Sequence, residues 1–334
     1  MSDSIRSASI VGDGAMGTLC ALLLAERGTS VTLWGRNSEH IEALREDREN
    51  RRYLPGFSIP EAINLTADDA AIFQDADIIV SAVPCQYLRA IWMRLQPHIG
   101  EGLRVVSVTK GIEIDTLKLP TQVIRSCIPN PTLACLTGPC IAPEVAAQKP
   151  ATVVVAADTQ NFAADVQQGM STPHFRVYTS DDLTGVEIAA AVKNVIALAA
   201  GLCDGIGAGD NAKASLLTRG LVEITRLGSA LGAREETFRG LAGVGDLFTT
   251  CVSKVGRNRS AGERLGRGES VDQVVASTSS VIEGIPTTRS VLELAQKHSV
   301  ELPIVSAMAD VLFAARCPNE AVDELMTRPL RRES

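Results

Sequence analysis

The residues best suited to chemistry are a lysine, an aspartate and a group of arginines in the second half of the chain. Lys193 lies in IAAAVKNVIALAAG (188–201), a run otherwise almost wholly apolar. Wound into a helix, Ala189, Ala190, Val192, Val195, Ile196, Ala197 and Leu198 surround it on every side, so no face holds the lysine in water. Burial disfavours an ammonium ion and suits the amine to acid–base work. A lysine that snorkels to solvent from a helix end is the bland alternative. Asn194 beside it also needs partners if buried. Asp246, the single acid of GLAGVGDLFTTC (240–251), is placed to pair with Lys193 or to cap a helix starting at Leu247. KVGRNRSAGERLGRG (254–268) concentrates Arg257, Asn258, Arg259, Arg264 and Arg267. That cluster reads as a phosphate clamp, or else as a solvated loop with Arg259, Arg264 and Arg267 turned outward. Glu283 precedes Gly284 and Pro286 in a secure turn, and its chemistry is not evident from residue type alone.

The first half offers a different chemistry. The apolar run Ser7–Val11 meets GDGAMG, then a helical stretch ending at Gly28, then SVTLW (30–34). Strand, glycine fingerprint, helix and strand in that order bind a dinucleotide. Gly12 permits the tight turn, Gly14 admits a pyrophosphate to the backbone, and Gly17 lets helix and strand pack. The helix N-terminus then offers N–H groups to phosphate. The second strand ends in Gly35, Arg36 and Asn37, with no carboxylate for a ribose 2′-hydroxyl. Arg36 leans toward NADP, while an arginine stacked on the adenine would serve NAD or NADP. Lys110 follows SVT directly at the end of another strand, and Gly138, Pro139 and Cys140 end a further one. Ligands in such sheets gather at these ends.

The elements that must position these residues fall in two parts. Strand-like runs at 76–84, 103–111, 132–139, 150–157 and 175–180 continue the alternation. From Leu183 onward the apolar periodicity is helical. An α/β Rossmann domain with a mostly parallel sheet over 1–182 is expected, followed by an all-α domain over 183–334. Ser180, Asp181 and Asp182 mark the boundary as helix-capping types.

Composition excludes several classes. A chain of 334 residues with 45% hydrophobic content fits a globular protein of two domains. The net charge of −7 argues against nucleic-acid partners, which need a basic face. The eight cysteines form no CxxC pair and the four histidines lack ligand spacing, so reduced thiols in a cytoplasmic protein are expected, with no metal. The polar start is not expected to be a signal peptide, and no run is expected to reach the ~18 apolar residues that span a bilayer.

The chain resembles the NAD(P)-dependent glycerol-3-phosphate dehydrogenases of the bacterial type. GDGAMG, VTLWGR, TKGIE, LTGPCIAPEVA, GVEIAAAVKNVIALAAG, LAGVGDLFTTC, GRNRSAG and EGIPTTR run in family order over nearly the whole length. The resemblance implies a 6-phosphogluconate-dehydrogenase-like architecture, NADP or NAD as cofactor, often a homodimer, and reversible reduction of dihydroxyacetone phosphate to sn-glycerol 3-phosphate. It implies Lys193 as proton acceptor and donor with Asp246 orienting it. Lys110, Gly138, Cys140, Lys193, Asp246, Gly256, Arg257 and Asn258 fall at substrate positions. Gly12, Gly14, Ala15, Met16, Gly17, Arg36, Lys110, Ala142, Arg257, Val281 and Glu283 fall at cofactor positions. Four positions depart from the pattern. Met16 replaces an aromatic, Cys140 and Gly256 each replace a hydroxyl residue, and Gly35 stands where a bulkier side chain is common. A paralogue acting on another phosphorylated ketone, a small-ketoacid reductase of the ketopantoate type and a cofactor-binding sensor without turnover are the rival readings.

Overall fold

Apolar runs buried on both faces build the sheet, as expected of parallel strands covered by helices. A computed structural model describes residues 5–278, 280–330 and 332. Ten strands occur among them: β1 (Ser7–Val11), β2 (Ser30–Trp34), β3 (Glu49–Asn50), β4 (Leu54–Ser58), β5 (Ile63–Thr66), β6 (Ile78–Ser81), β7 (Arg104–Ser107), β8 (Thr132–Thr137), β9 (Ala151–Ala157) and β10 (Phe175–Ser180). Eight form one sheet in the order β10-β9-β8-β7-β6-β1-β2-β5, and β3 pairs with β4 in a hairpin. All neighbours in the large sheet are parallel except β8 and β9. The chain leaves β1 toward β2 on one side and meets β6 on the other. That reversal opens the crevice in which doubly wound sheets hold ligands.

The sequence reading lacks β3, β4 and β5. β4 is LPGFS, whose Pro55 and Gly56 are poor strand formers, and β5 is only INLT. β5 becomes a strand because β2 offers it an unpaired edge, with Val31 to Trp34 in register with Ile63 to Thr66.

The chain divides into two compact units, Met1–Lys110 with Lys118–Glu187, and Gly111–Leu117 with Ile188–Ser334. By packing, the units part after Glu187, within the helix Leu183–Gly205. Asp182 stands just before that helix, its carboxylate accepting from the Gly185 amide at 2.9 Å. Among its described residues the second unit has helices and no strand.

Leu183–Gly205 corrects one expectation. Its 23 residues, with an 18-residue window of mean hydropathy 1.7, are long and apolar enough to cross a bilayer by those measures. The apolar 18-residue window is wholly buried within the fold, the position of a core helix. Its close partner is the helix Arg257–Gly266. A Cβ on Gly201 would lie 1.9 Å from the Arg259 carbonyl oxygen, and one on Gly262 would lie 1.9 Å from the Leu198 carbonyl oxygen. Gly205 and Gly266 repeat the fit one turn on. Four missing side chains thus let two backbones touch. Gly262→Ala must push them apart and is expected to cost about 1–3 kcal/mol, the range for overpacking a core; urea unfolding measures it, and a loss under 0.5 kcal/mol would mean that the contact is soft.

A second buried group sets a pH dependence. Glu223 accepts from the amides of Ile304 at 2.7 Å and Val305 at 3.2 Å, capping the helix Pro303–Phe313. Burial outweighs those bonds and pushes its carboxyl up to about 7 from 4.5. The folded state therefore holds a proton that the unfolded state releases. Its contribution is full below pH 4.5 and is lost as pH rises through 7, by up to roughly 3 kcal/mol. Glu223→Gln, which cannot ionise, should flatten that part of the stability profile between pH 5 and 8; equal slopes in the two proteins would refute the assignment.

Candidate active site

The first unit carries a phosphate cradle after β1. Gly12 holds φ +116°, and its amide donates to the Trp34 carbonyl at 3.0 Å. A Cβ there would lie 2.9 Å from the Ala82 oxygen, which follows β6 across the crevice. A Cβ on Gly17 would lie 1.8 Å from the Gly12 oxygen, so only glycine lets the helix Ala15–Glu26 pack so close. In front of Gly14 a Cβ would meet nothing within 4 Å. That helix has Gly14 as its N-cap and no side-chain cap. An open backbone before an uncapped helix N-terminus fits a dinucleotide pyrophosphate. Asn50 was not foreseen. Its carboxamide donates at 2.8 Å to the Asp13 carbonyl and to Thr18 Oγ1, tying the hairpin β3–β4 to the turn. An asparagine in a two-residue strand gives no sequence signal of that role.

The other predicted residues of this unit lie as follows. Arg36 is exposed just past β2. Lys110, half-buried past β7, donates to the Gly138 carbonyl at 3.4 Å. Gly138 has φ +144°, and a Cβ there would lie 2.8 Å from Val153 Cα, which bars any other residue. Ala142 opens the short helix Ala142–Ala146. Met16, Cys20, Val108, Lys110, Leu136 and Cys140 line one small cavity. Burial pushes the Cys20 thiol up to about 12, so it stays protonated at neutral pH.

The second unit carries the buried lysine. Lys193 is 4% exposed and Asp246 2%. Lys193 Nζ lies 3.2 Å from Asp246 Oδ1 and donates to Thr250 Oγ1 at 2.5 Å. Thr250 in turn donates to Asp246 Oδ1 at 3.3 Å. Asp246 is the first residue of the helix Asp246–Val252, whose N-cap is Gly245, and Thr250 stands four residues on. One helix face thus presents both oxygens to the amine. The bland alternative for Lys193 fails, because the side chain does not reach water. Thr250 is the residue that the sequence reading passed over; its signal was the i+4 spacing from Asp246. Burial likewise pushes the nearby Cys251 thiol up to about 12, which leaves it no thiolate to compete with the amine.

An amide chain sits beside this group. Asn258 donates to Asn194 Oδ1 at 2.9 Å, Asn194 donates to the Ala190 carbonyl, and the Gly284 amide donates to Asn258 Oδ1 at 2.9 Å. Asn258 is buried, so part of its hydrogen-bonding capacity is spent on joining three helices. Arg257, exposed at the start of its helix, donates to the Val281 carbonyl at 3.1 Å. Gly256 is the N-cap of that helix, and Glu283 that of Gly284–Lys297. The arginine cluster does not act as one group. Arg259 is buried, with Asp204 at 2.7 Å and Glu263 at 3.0 Å, and Lys213 shares Asp204 at 2.8 Å. This corrects the outward-facing reading of Arg259. Arg264 pairs with Glu269 and Arg267 with Glu263. Among the described residues Arg257 is the member of the cluster with no carboxylate within ion-pair distance. Among the described residues no cluster of three or more His, Cys, Asp or Glu could hold a metal.

A dinucleotide cradle in one unit and a buried lysine–aspartate pair in the other define a nicotinamide-nucleotide-dependent dehydrogenase. Two family models match, described as the NAD-dependent glycerol-3-phosphate dehydrogenase N-terminus, over residues 7–163, and C-terminus, over residues 182–323. The chain belongs to the NAD-dependent glycerol-3-phosphate dehydrogenase family. It is 45% identical over 327 residues to a protein of Nitratidesulfovibrio vulgaris named NAD(P)+ glycerol-3-phosphate dehydrogenase, covering 97% of this chain and 99% of that one. It matches the crystal structure of a glycerol-3-phosphate dehydrogenase from Coxiella burnetii with a TM-score of 0.93 at 36% identity, covering 97% and 99%. A ketopantoate reductase structure from Ralstonia eutropha, at TM-score 0.60 and 16% identity over 95% and 99%, shares the fold alone.

The buried pair has a measurable cost when broken. Asp246→Ala strands an ammonium ion in an apolar helix bundle and should lose about 3–5 kcal/mol of stability. Lys193→Met with Asp246→Leu removes both charges, and should lose clearly less than the two single losses added. Additive losses in denaturant unfolding would mean that the two groups do not act as a pair.

Proposed function

We propose that this chain catalyses the reversible reduction of dihydroxyacetone phosphate to sn-glycerol 3-phosphate with NADH or NADPH, and that Lys193 is its proton donor and acceptor. The observation that carries the reading is the water-excluded amine of Lys193, held between Asp246 and Thr250 in a chain of this family. When bound, the nicotinamide supplies or accepts the hydride. Everything else is work for the protein's own groups. In reduction the Lys193 ammonium gives its proton to the alkoxide oxygen that develops at the substrate's secondary carbon. In oxidation the neutral amine removes the proton of the secondary hydroxyl. Asp246 and Thr250 fix the Nζ atom in both directions, so the proton moves along a preset line.

The remaining residues are assigned to binding. Gly12, Gly14, Ala15, Met16, Gly17, Arg36, Lys110 and Ala142 serve the cofactor from the first unit. Arg257, Val281 and Glu283 are the second unit's contribution to it. Arg257, whose guanidinium has no carboxylate within ion-pair distance among the described residues, takes the substrate phosphate by charge-assisted hydrogen bonds. Lys110, Gly138, Cys140, Gly256 and Asn258 complete the substrate contacts. A homodimer in the cytoplasm is part of the same reading.

The test is the initial rate of NADH and NADPH oxidation with dihydroxyacetone phosphate. Turnover is expected with at least one cofactor, and Lys193→Ala should lower kcat by about 10²–10⁴ through loss of acid–base help. Wild-type kcat in that variant would remove Lys193 from the mechanism. No turnover with either cofactor would refute the substrate assignment.

A further inference from the structure

Asp13 is the middle residue of Gly12-Asp13-Gly14, and it explains why residue 35 is glycine. A Cβ on Gly35 would lie 2.4 Å from Asp13 Oδ2 and 2.7 Å from its carboxyl carbon. The carboxylate therefore fills the space that a side chain at the end of β2 would take. That end is where Rossmann folds place the acid that receives a ribose 2′-hydroxyl, and in this chain Gly35, Arg36 and Asn37 supply none. Asn37 is spent, since its side chain caps the next helix by accepting from the His40 amide at 3.0 Å.

The carboxylate has capacity to spare. It accepts from its own backbone amide, and His40 Nε2 lies at 3.7 Å, beyond a hydrogen bond. The His40 ring is turned edge-on to Tyr53, at 5.5 Å between centroids. The Asp13 side chain is about one-fifth exposed, open enough for a ligand to reach it. Burial raises its carboxyl above the usual range, while His40, Arg52 and Arg36 pull the other way.

We infer that Asp13 is a cofactor-selecting residue: reaching into the space beside Gly35, its carboxylate accepts the ribose 2′-hydroxyl of NAD(H) and repels the 2′-phosphate of NADP(H). The inference rests on the reading of the glycine turn as a nicotinamide-dinucleotide cradle. It sets Asp13 against Arg36, which on its own favours the phosphate. A carboxylate hydrogen bond is kept only with the hydroxyl, whereas a phosphate there faces a like charge.

The test is calorimetric titration of the full chain with NADH and with NADPH, without substrate, read as the ratio of the two dissociation constants. Asp13→Ala should shift the ratio toward NADPH by about tenfold or more. Asp13→Asn, which keeps the shape and drops the charge, should shift it in the same direction. Gly35→Ala should weaken NADH binding in the wild-type background and weaken it less beside Asp13→Ala, which removes the clash at 2.4 Å and leaves the one with Ile41 Cδ1 at 2.8 Å. An unchanged ratio in Asp13→Ala and Asp13→Asn, with NADH bound normally, overturns the role of Asp13 alone. Binding of neither nucleotide by the wild type overturns the cradle reading and this inference with it.

Discussion

A cation buried in an apolar helix is the constraint on which the catalytic unit depends. Lys193 interrupts a core helix of 23 residues, and an ammonium ion there is intolerable unless matched. Asp246 and Thr250 supply the match from one face of a second short helix. Placing that helix, and the exposed Arg257 beyond it, requires backbones to approach closely. The Gly201–Arg259 and Gly262–Leu198 contacts provide the approach, and the Asn194–Asn258–Gly284 chain locks its rotation. The groups that solvate the lysine in place of water are, in the proposed reaction, also the groups that aim its proton.

Much of this arrangement was legible in the sequence, for physical reasons that differ between residues. Lys193 stood out because its neighbours are apolar at every helical phase, which leaves burial as the single outcome. The glycine turn was legible because backbone close approach admits no other residue at Gly12 or Gly17. Thr250 was not, because a threonine one turn from an acid is common and becomes meaningful only when an amine is brought to it. Arg259 was misread for the converse reason. Its partner Asp204 lies 55 positions away, and no local pattern announces a tertiary ion pair. The edge strand β5 was lost because its four residues become a strand only through the open edge of β2. The Leu183–Gly205 helix shows the limit of composition as a guide: a bilayer and a protein core select the same residues, and only the surrounding packing distinguishes them.

The departures from the family pattern also divide on physical grounds. Gly35 is accounted for by the Asp13 carboxylate and Ile41, which together fill the space a side chain there would take. Met16 and Cys140 share a small cavity with Cys20 and Lys110, where a flexible thioether and a weakly hydrogen-bonding thiol stand in for an aromatic ring and a hydroxyl. Gly256 has room for little more, since a Cβ would press on the Ser253 and Thr250 carbonyls at 3.2 Å. Under the proposed assignments the variation falls on binding positions, and Lys193 and Asp246 are retained.

The central claim is that the amine of Lys193 moves the proton. The most direct measurement is turnover of Lys193→Ala with dihydroxyacetone phosphate as a small primary amine such as methylamine is added. The account predicts a depressed rate that climbs with amine concentration, because the free amine enters the space vacated by the side chain and takes over its role. A folded, ligand-binding variant whose rate matches the wild type without amine, or stays equally low at every amine concentration, would contradict it.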